Sequence, residues 1–209
     1  MAERYLKPKQ APIFAHPVLE KLAQSSLRSI LLLDTVLVFF FIWAGFYWGN
    51  LHPIQLFGIL IGLVMWTLME YLLHRFAFHY EPKSDQVKKR LYPLHAFHHD
   101  YPADKDHLFM PPLANVLITF TLFGLSFLVL GPLAWFFTTG LILGYMVYST
   151  MHYAIHTIKP PFPFLKVLWR NHQLHHHRFP DRAFGVSSPF WDVVLGTKPP
   201  KSATDRPTK

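Results

Sequence analysis

Histidines at short, regular spacings are the residues of this chain best suited to chemistry. They form four groups: the pattern HxxHH occurs twice, HxxxH occurs once, and one pair stands five residues apart. Imidazole is a good metal ligand, because one ring nitrogen binds the ion while the other makes an outer hydrogen bond. The candidate ligands are His74, His79, His95, His98, His99, His152, His156, His172, His175 and His176. The pattern therefore predicts a metal site built from nitrogen ligands.

Helical spacing is the feature that would bring these rings together, since residues three and four apart share a helix face. If the boxes are helical, we expect convergence of His95 with His98 and His99, of His152 with His156, and of His172 with His175 and His176. His74 and His79 lie about 140° apart around an ideal helix, so that pair converges only if the helix ends or bends between them. Ten rings exceed the four ligands of a tetrahedral ion, so we expect two ions with about five ligands each.

The alternative interpretation is that these histidines are structural hydrogen-bonding groups, which is the common role of a lone histidine. Four boxes with helical spacing favour a metal site instead. A histidine-rich tract is excluded, because the groups are separated by apolar segments. His107 and His177 lie close to the boxes, and we expect neither to be a ligand. No role is assigned to His16.

The composition favours a membrane protein. Hydrophobic residues make up 51% of the 209 residues and charged residues only 15%, which is too apolar for an ordinary soluble domain. The absence of cysteine excludes thiolate ligands, disulfides and iron–sulfur centres. A net charge of +8 suits an anionic membrane surface, and with such apolar spans we expect no nucleic-acid partner. The first 24 residues are polar and contain several prolines, so we expect no cleavable signal peptide.

Four apolar stretches are long enough to cross a bilayer as helices. We predict an all-α integral membrane protein with four spans paired into two hairpins. The predicted spans are about 29–48, 54–73, 111–130 and 133–151. The predicted organisation is an interfacial arm at 1–28 and one domain at 29–209, with a helical cap made of 74–110 and 152–209. An alternative is that one stretch only lies in the interface or re-enters from it.

The charges predict the topology. All 20 Lys and Arg lie in the three polar segments that two hairpins would place on one side of the membrane, and the positive-inside rule assigns that side to the cytoplasm. The boxed histidines lie in those segments or at their edges, whereas His52 falls in the turn on the opposite face. We therefore expect a cytoplasmic cap that holds the metals against the membrane, where a lipid chain can enter from the bilayer.

Three further side chains have two interpretations each. Glu70 either orients a ligand imidazole from the outer shell or is an interfacial charge. Tyr153 either donates a hydrogen bond at the metal centre or packs against the cap, and packing is favoured. Asp34, near one end of the first span, is expected to reach the interface rather than to act inside the membrane.

An all-nitrogen two-metal site at a membrane surface suits oxygen activation. Imidazole binds iron well, and neighbouring iron ions can share the electrons that oxygen cleavage requires. Two zinc ions could instead run a hydrolysis, but bridging carboxylates are typical of such sites and none lies inside these boxes. A metal transporter or sensor is a third alternative, disfavoured because transport needs ligands near the membrane midplane.

The chain resembles the fatty acid hydroxylase superfamily of integral membrane proteins, and within it the fatty acid 2-hydroxylases that act on sphingolipid acyl chains. The resemblance covers about residues 70–197 and rests on the four boxes in their order, on Leu108–Pro112, and on Phe184–Asp192. The last stretch favours 2-hydroxylases over sterol-modifying members, which stay an alternative together with membrane desaturases. The resemblance implies that the ten box histidines bind two metal ions, iron for the chemistry or zinc as in structures of relatives. It also implies that O2 and external electrons place a hydroxyl on the carbon next to the acyl carbonyl.

One departure concerns the electron donor. Many members carry an N-terminal cytochrome b5 domain, whereas only about 28 residues precede the first predicted span here, and His16-Pro17 is not a haem-binding motif. We therefore expect a separate donor, such as cytochrome b5 or ferredoxin with its reductase. The resemblance implies a lipid acyl substrate and a location in the endoplasmic reticulum of a eukaryote or the inner membrane of a bacterium.

Overall fold

The computed structural model describes residues 12–49 and 53–200, and every regular element in these two ranges is a helix. His52, which the charge pattern places on the face opposite the boxes, lies outside the described residues, as do residues 1–11 of the predicted arm. The helices are α1 (Pro17–Ala23), α2 (Leu27–Trp48), α3 (Phe57–Leu72), α4 (Asp85–Leu91), α5 (Ala96–Asp100), α6 (Pro112–Leu130), α7 (Ala134–Thr157), α8 (Lys166–His177) and α9 (Phe190–Val194). A π-helical turn at Leu73–Phe78 follows α3 directly.

Three stretches of the described chain are long and apolar enough to cross a membrane: Leu27–Trp48, Pro53–Phe78 and Pro112–Thr157. The third contains both α6 and α7, joined by a short 3-10 turn that begins at Gly131. Gly131 has φ of +55°, in the left-handed region that glycine adopts most easily. The backbone N–H of Met110 donates to the Tyr145 hydroxyl at 3.3 Å, whereas one continuous helix would separate them by about 50 Å. The two helices therefore form an antiparallel hairpin.

The pairing of α3 with α7 is the most extensive helix contact in the described part of the chain. Glycines allow it: a Cβ atom on Gly62 would lie 2.0 Å from the carbonyl oxygen of Phe137, and one on Gly140 would lie 2.1 Å from that of Ile59. The two backbones thus touch without intervening side chains, as in helix pairs packed through small residues. This contact sets the histidine-bearing end of α3 beside that of α7.

The expectation for Asp34 was wrong. Its side chain is 1% exposed inside the helical bundle, where it accepts a hydrogen bond from Asn115 Nδ2 at 2.7 Å. A buried carboxylate is tolerated when it is hydrogen-bonded, and α6 supplies the donor. Asp34 therefore joins α2 to α6 and does not reach the interface.

The described end of the arm packs against the loop before α6. The amide of Ser25 donates to the carbonyl oxygen of Asp106 at 2.8 Å, and its hydroxyl donates to that of Phe109 at 2.9 Å. His107 Nε2 lies 3.0 Å from Glu20 Oε1. These contacts fix the loop against α1 and give His107 a structural role.

The contact between α3 and α7 predicts a stability difference between two glycine variants. Gly140→Ala should lower the free energy of unfolding by about 1–3 kcal/mol, because the new methyl group must push the helices apart. Gly124→Ala is the matched control, since a Cβ there meets nothing within 4 Å. Thermal unfolding in detergent, followed by circular dichroism, measures both. Equal melting temperatures for the two variants would contradict the packing described.

Candidate metal centre

All ten box histidines come together, in two groups of five whose candidate ligand atoms lie within 4.8 Å of one another in each group. The first cluster comprises His74, His79, His95, His99 and His175. The second cluster comprises His98, His152, His156, His172 and His176. Five and five is the grouping expected for two ions, and the binding of the ions themselves stays a prediction at this point.

The two HxxHH boxes do not converge as whole units, so that expectation was wrong. In the first box His95 and His99 join the first cluster and His98 joins the second; in the second box the roles are exchanged, with His175 alone in the first cluster. The first and last histidines of an HxxHH box are four residues apart and differ by about 40° around a helix. The middle histidine lies about 100° from the last one. Each box therefore points in two directions, and α5 and α8 each contribute to both clusters.

A π-helical turn brings His74 and His79 together. The backbone N–H of His79 donates to the carbonyl oxygen of His74 at 3.2 Å, the i to i+5 bond of a π-helix, which is common at functional sites. The ring centroids are 5.1 Å apart. The helix thus widens between the two residues, which is the bend that their spacing requires.

The end of α7 carries the remaining pair. His152 and His156 share one face, with ring centroids 4.9 Å apart, because α7 continues beyond Met151 to Thr157. Tyr153 lies between them in sequence but on another face. Its ring stacks 6.3 Å from that of Phe109, so it packs against the loop before α6.

Ring nitrogens within each cluster approach one another closely. The Nε2–Nε2 distances are 3.0 Å for His74–His95, 3.0 Å for His95–His99, 3.0 Å for His98–His152 and 2.9 Å for His156–His172. Two nitrogens bound about 2.1 Å from one metal ion, at right angles to each other, would be about 3.0 Å apart. The spacing therefore fits ligands that share an ion.

Two backbone carbonyls fix the orientation of first-cluster rings. His74 Nδ1 donates to the carbonyl oxygen of Phe184 at 2.6 Å, and His175 Nδ1 donates to that of Arg182 at 2.7 Å. Because a carbonyl oxygen only accepts, Nδ1 must carry the proton, and Nε2 of each neutral ring presents a lone pair. Nε2 of His175 and of His79 is buried with no protein hydrogen-bond partner in the described ranges. Buried nitrogens of this kind need a partner, and a cation at the centre would satisfy them together.

The electrostatics keep these rings neutral. Burial lowers the pKa of His79 to about 4, and burial together with the neighbouring His79 lowers the pKa of His99 to about 3. Burial and the surrounding rings hold the pKa of His95, His98 and His172 well below the ordinary value. Neutral imidazole is the form that binds a metal, so the clusters are in the binding form at neutral pH.

Glu70 is not an interfacial charge, because it is 5% exposed. Its Oε1 accepts from the backbone N–H groups of Val186 and Ser187 at 2.6 and 2.8 Å, and its Oε2 accepts from the Ser187 hydroxyl. Asp192 makes similar bonds to the preceding two amides. The sequence did not identify Asp192 as part of the site, because no periodicity marks it. Its stretch, Phe184–Asp192, contributed only to the family resemblance.

The extra histidines lie outside both clusters. His107 contacts Glu20 and Asp104, and His16 directly precedes α1. His177 ends α8, exposed to solvent, with its ring 6.0 Å from that of His176. That His107 and His177 do not bind a metal stays a prediction.

The fold and the two clusters define a helical membrane protein with a histidine-rich site that suits a pair of metal ions. The chain belongs to the fatty acid hydroxylase family, whose model matches residues 59–197.

Named proteins of this family show where the similarity lies. Dihydroceramide fatty acyl 2-hydroxylase FAH1 of Arabidopsis thaliana is 36% identical over 146 residues, which are 69% of this chain and 62% of that protein. The fatty acid 2-hydroxylase of Homo sapiens is 33% identical over 147 residues, 68% of this chain and 39% of that protein. The solved structure of full-length scs7p, in which only the hydroxylase domain is visible, matches with a TM-score of 0.81 and 32% identity, over 88% of this chain and 71% of that chain. The chain thus spans less than two thirds of both curated relatives.

Adjacent histidines on α8 provide a matched test of the second cluster. His176→Ala should lower the metal content from about two ions per chain towards about one and lower the melting temperature, because bound metal contributes folding free energy. His177→Ala should retain both ions. Elemental analysis of the two purified proteins by mass spectrometry makes the comparison. Equal metal contents together with equal melting temperatures would contradict the assignment of His176 as a ligand.

Proposed function

We propose that this chain is a membrane-bound fatty acid 2-hydroxylase, which uses O2 and external electrons to hydroxylate the carbon next to the carbonyl of a sphingolipid acyl chain. One observation carries the proposal: two clusters of five histidines each lie in a chain of this family. The similar proteins of Arabidopsis thaliana and Homo sapiens are both named 2-hydroxylases.

The ten clustered histidines would hold two metal ions, one in each cluster. Iron bound there would supply the oxidising power that cleavage of an unreactive C–H bond requires. The protein's part is to hold the rings neutral and correctly turned before the substrate arrives.

Helices α2, α3, α6 and α7 would cross the membrane as two hairpins, with the clusters on the cytoplasmic side. The apolar stretches support the crossing, and the confinement of Lys and Arg to the other segments supports the side. Aromatic side chains gather at the opposite end of the bundle, where the ring centroids of Trp48 and Trp135 are 5.9 Å apart and those of Trp43 and Tyr47 are 5.6 Å apart. Such residues are enriched at membrane–water interfaces. The membrane would be the endoplasmic reticulum of a eukaryote or the inner membrane of a bacterium.

The acyl chain would reach the first cluster from the bilayer. A cavity of about 30 Å³ adjoins His74 and is bordered by Trp66, Glu70, Leu73, Phe78 and Tyr148. This volume suits one or two water molecules rather than an acyl chain, so substrate entry requires a side chain to move. Leu73, at 40% exposed, is the most exposed of the residues that border the cavity, and it is the candidate for this movement. The aromatic and aliphatic side chains around the cavity would limit the access of bulk water to the reacting carbon.

Electrons have to reach the clusters from a redox protein. The separate donor that the sequence predicts, cytochrome b5 or a ferredoxin with its reductase, stays a prediction. His99 of the first cluster and His176 of the second are stacked, with their ring centroids 4.2 Å apart. This stacked pair would connect the two clusters during electron transfer.

Lipid analysis in a host that lacks 2-hydroxylation tests the proposal. With a working electron donor, the wild-type chain should produce acyl chains that are about 16 mass units heavier, with the hydroxyl on the second carbon, because one oxygen atom is inserted. His98→Ala should abolish the product, while His177→Ala should retain it. Chains two mass units lighter would identify a desaturase instead. No product from protein that contains both metals would contradict the proposal.

A further inference from the structure

Two buried carboxylates hold four consecutive backbone amides beside the first cluster. The amides belong to residues 184–187, in a segment without regular secondary structure. Asp192 accepts the first two N–H groups, both at 2.9 Å, and Glu70 accepts the last two, at 2.6 and 2.8 Å. Hydrogen bonds from N–H groups to a carboxylate are about twice as strong as neutral ones. This stretch is therefore held at every amide, although it is neither helix nor strand.

The two carboxylates are among the most deeply buried polar groups of the described chain: Asp192 is 0% exposed and Glu70 is 5% exposed. Asp192 also accepts from the Thr197 hydroxyl at 2.7 Å. The Thr197 hydroxyl in turn lies 2.9 Å from the Tyr71 hydroxyl. The Tyr71 oxygen accepts from the Arg75 guanidinium at 2.8 Å. Since a carboxylate only accepts, Thr197 donates to Asp192 and Tyr71 donates to Thr197. The chain of bonds connects the buried carboxylate to a guanidinium group.

The segment presents its carbonyl oxygens to the first cluster. Phe184 accepts from His74 Nδ1 at 2.6 Å, and Arg182 accepts from His175 Nδ1 at 2.7 Å. We call residues 182–188 the strap. It is folded tightly, because a Cβ atom on Gly185 would lie 2.1 Å from the carbonyl oxygen of Ser188. A small shift of the strap would therefore move the acceptor of a first-cluster ring.

The second cluster lacks this kind of support within the described residues. Nδ1 of His98, His152, His172 and His176 is buried there without a protein hydrogen-bond partner. The two clusters thus differ: the strap fixes two rings of the first, while the second has no equivalent backbone acceptor in the same ranges. Loss of the strap should affect one cluster selectively.

We propose that Glu70 and Asp192 are positioning residues of the first metal site. They hold the strap so that the carbonyl of Phe184 stays against His74 Nδ1, which keeps His74 Nε2 unprotonated and directed at the ion. This inference rests on the metal centre proposed above. Glu70 precedes His74 by one helical turn, so α3 supplies both the ligand and the group that fixes its partner.

The test measures the affinity for each of two ions, by competition with a chelator on the full chain in detergent. Glu70→Leu should lower the affinity for one ion by about 10–100-fold, the usual effect of removing an outer partner of a metal ligand. The affinity for the other ion should stay within about twofold of the wild-type value. Glu70→Gln should lie between this variant and wild type, because its amide oxygen can still accept from Val186 and Ser187. Asp34→Leu is the matched control. It removes a carboxylate that is buried like that of Glu70 but is bonded to Asn115 in the helical bundle, so the affinity for both ions should be unchanged.

Milder variants decide the matter if Glu70→Leu does not fold. Ser187→Ala removes only the hydroxyl donor to Glu70, and Asp192→Asn keeps the side-chain volume. Both variants should lower the affinity for the same ion that Glu70→Gln affects. Unchanged affinity for both ions in the folded variants would overturn the positioning role, and so would equal weakening of both. Failure of the proposed function looks different, because then wild-type protein itself would hold no pair of ions or would not hydroxylate lipid.

Discussion

The constraint on which this structure depends is the crowding of ten neutral imidazole rings into two small volumes. Nitrogen atoms of neighbouring rings come within 2.9–3.0 Å of one another, and burial holds the rings in the unprotonated form. One ring proton cannot serve two neighbours, so hydrogen bonding within the clusters leaves lone pairs facing each other. A cation in each cluster would remove that conflict, and the surrounding fold brings five rings to each of the two positions.

Three features of the fold serve this purpose together. The glycine contact between α3 and α7 sets two histidine pairs side by side, the π-helical turn directs His74 and His79 to one point, and α5 and α8 each contribute to both clusters. Helix α5 has only 5 residues, far fewer than an isolated helix needs for stability. Its conformation therefore depends on its contacts, and we expect folding of the cap and binding of metal to be coupled.

Much of this centre could be predicted from spacing, and the failures have a common cause. The ten candidate ligands, the apolar helices and the bend between His74 and His79 follow from local periodicity. The division of each HxxHH box does not, because it depends on how α5 and α8 are turned relative to two centres. The burial of Asp34 depends on Asn115, 81 positions later, and the bonds from Glu70 to the strap cross 116 and 117 positions. Contacts between such distant residues leave no periodic signal in the sequence.

The most direct test of the central claim is anomalous X-ray diffraction from crystals of the full chain, recorded on both sides of the metal absorption edge. The account predicts two peaks, one among His74, His79, His95, His99 and His175 and the other among His98, His152, His156, His172 and His176. A single peak, or no peak from protein of full activity, would contradict it.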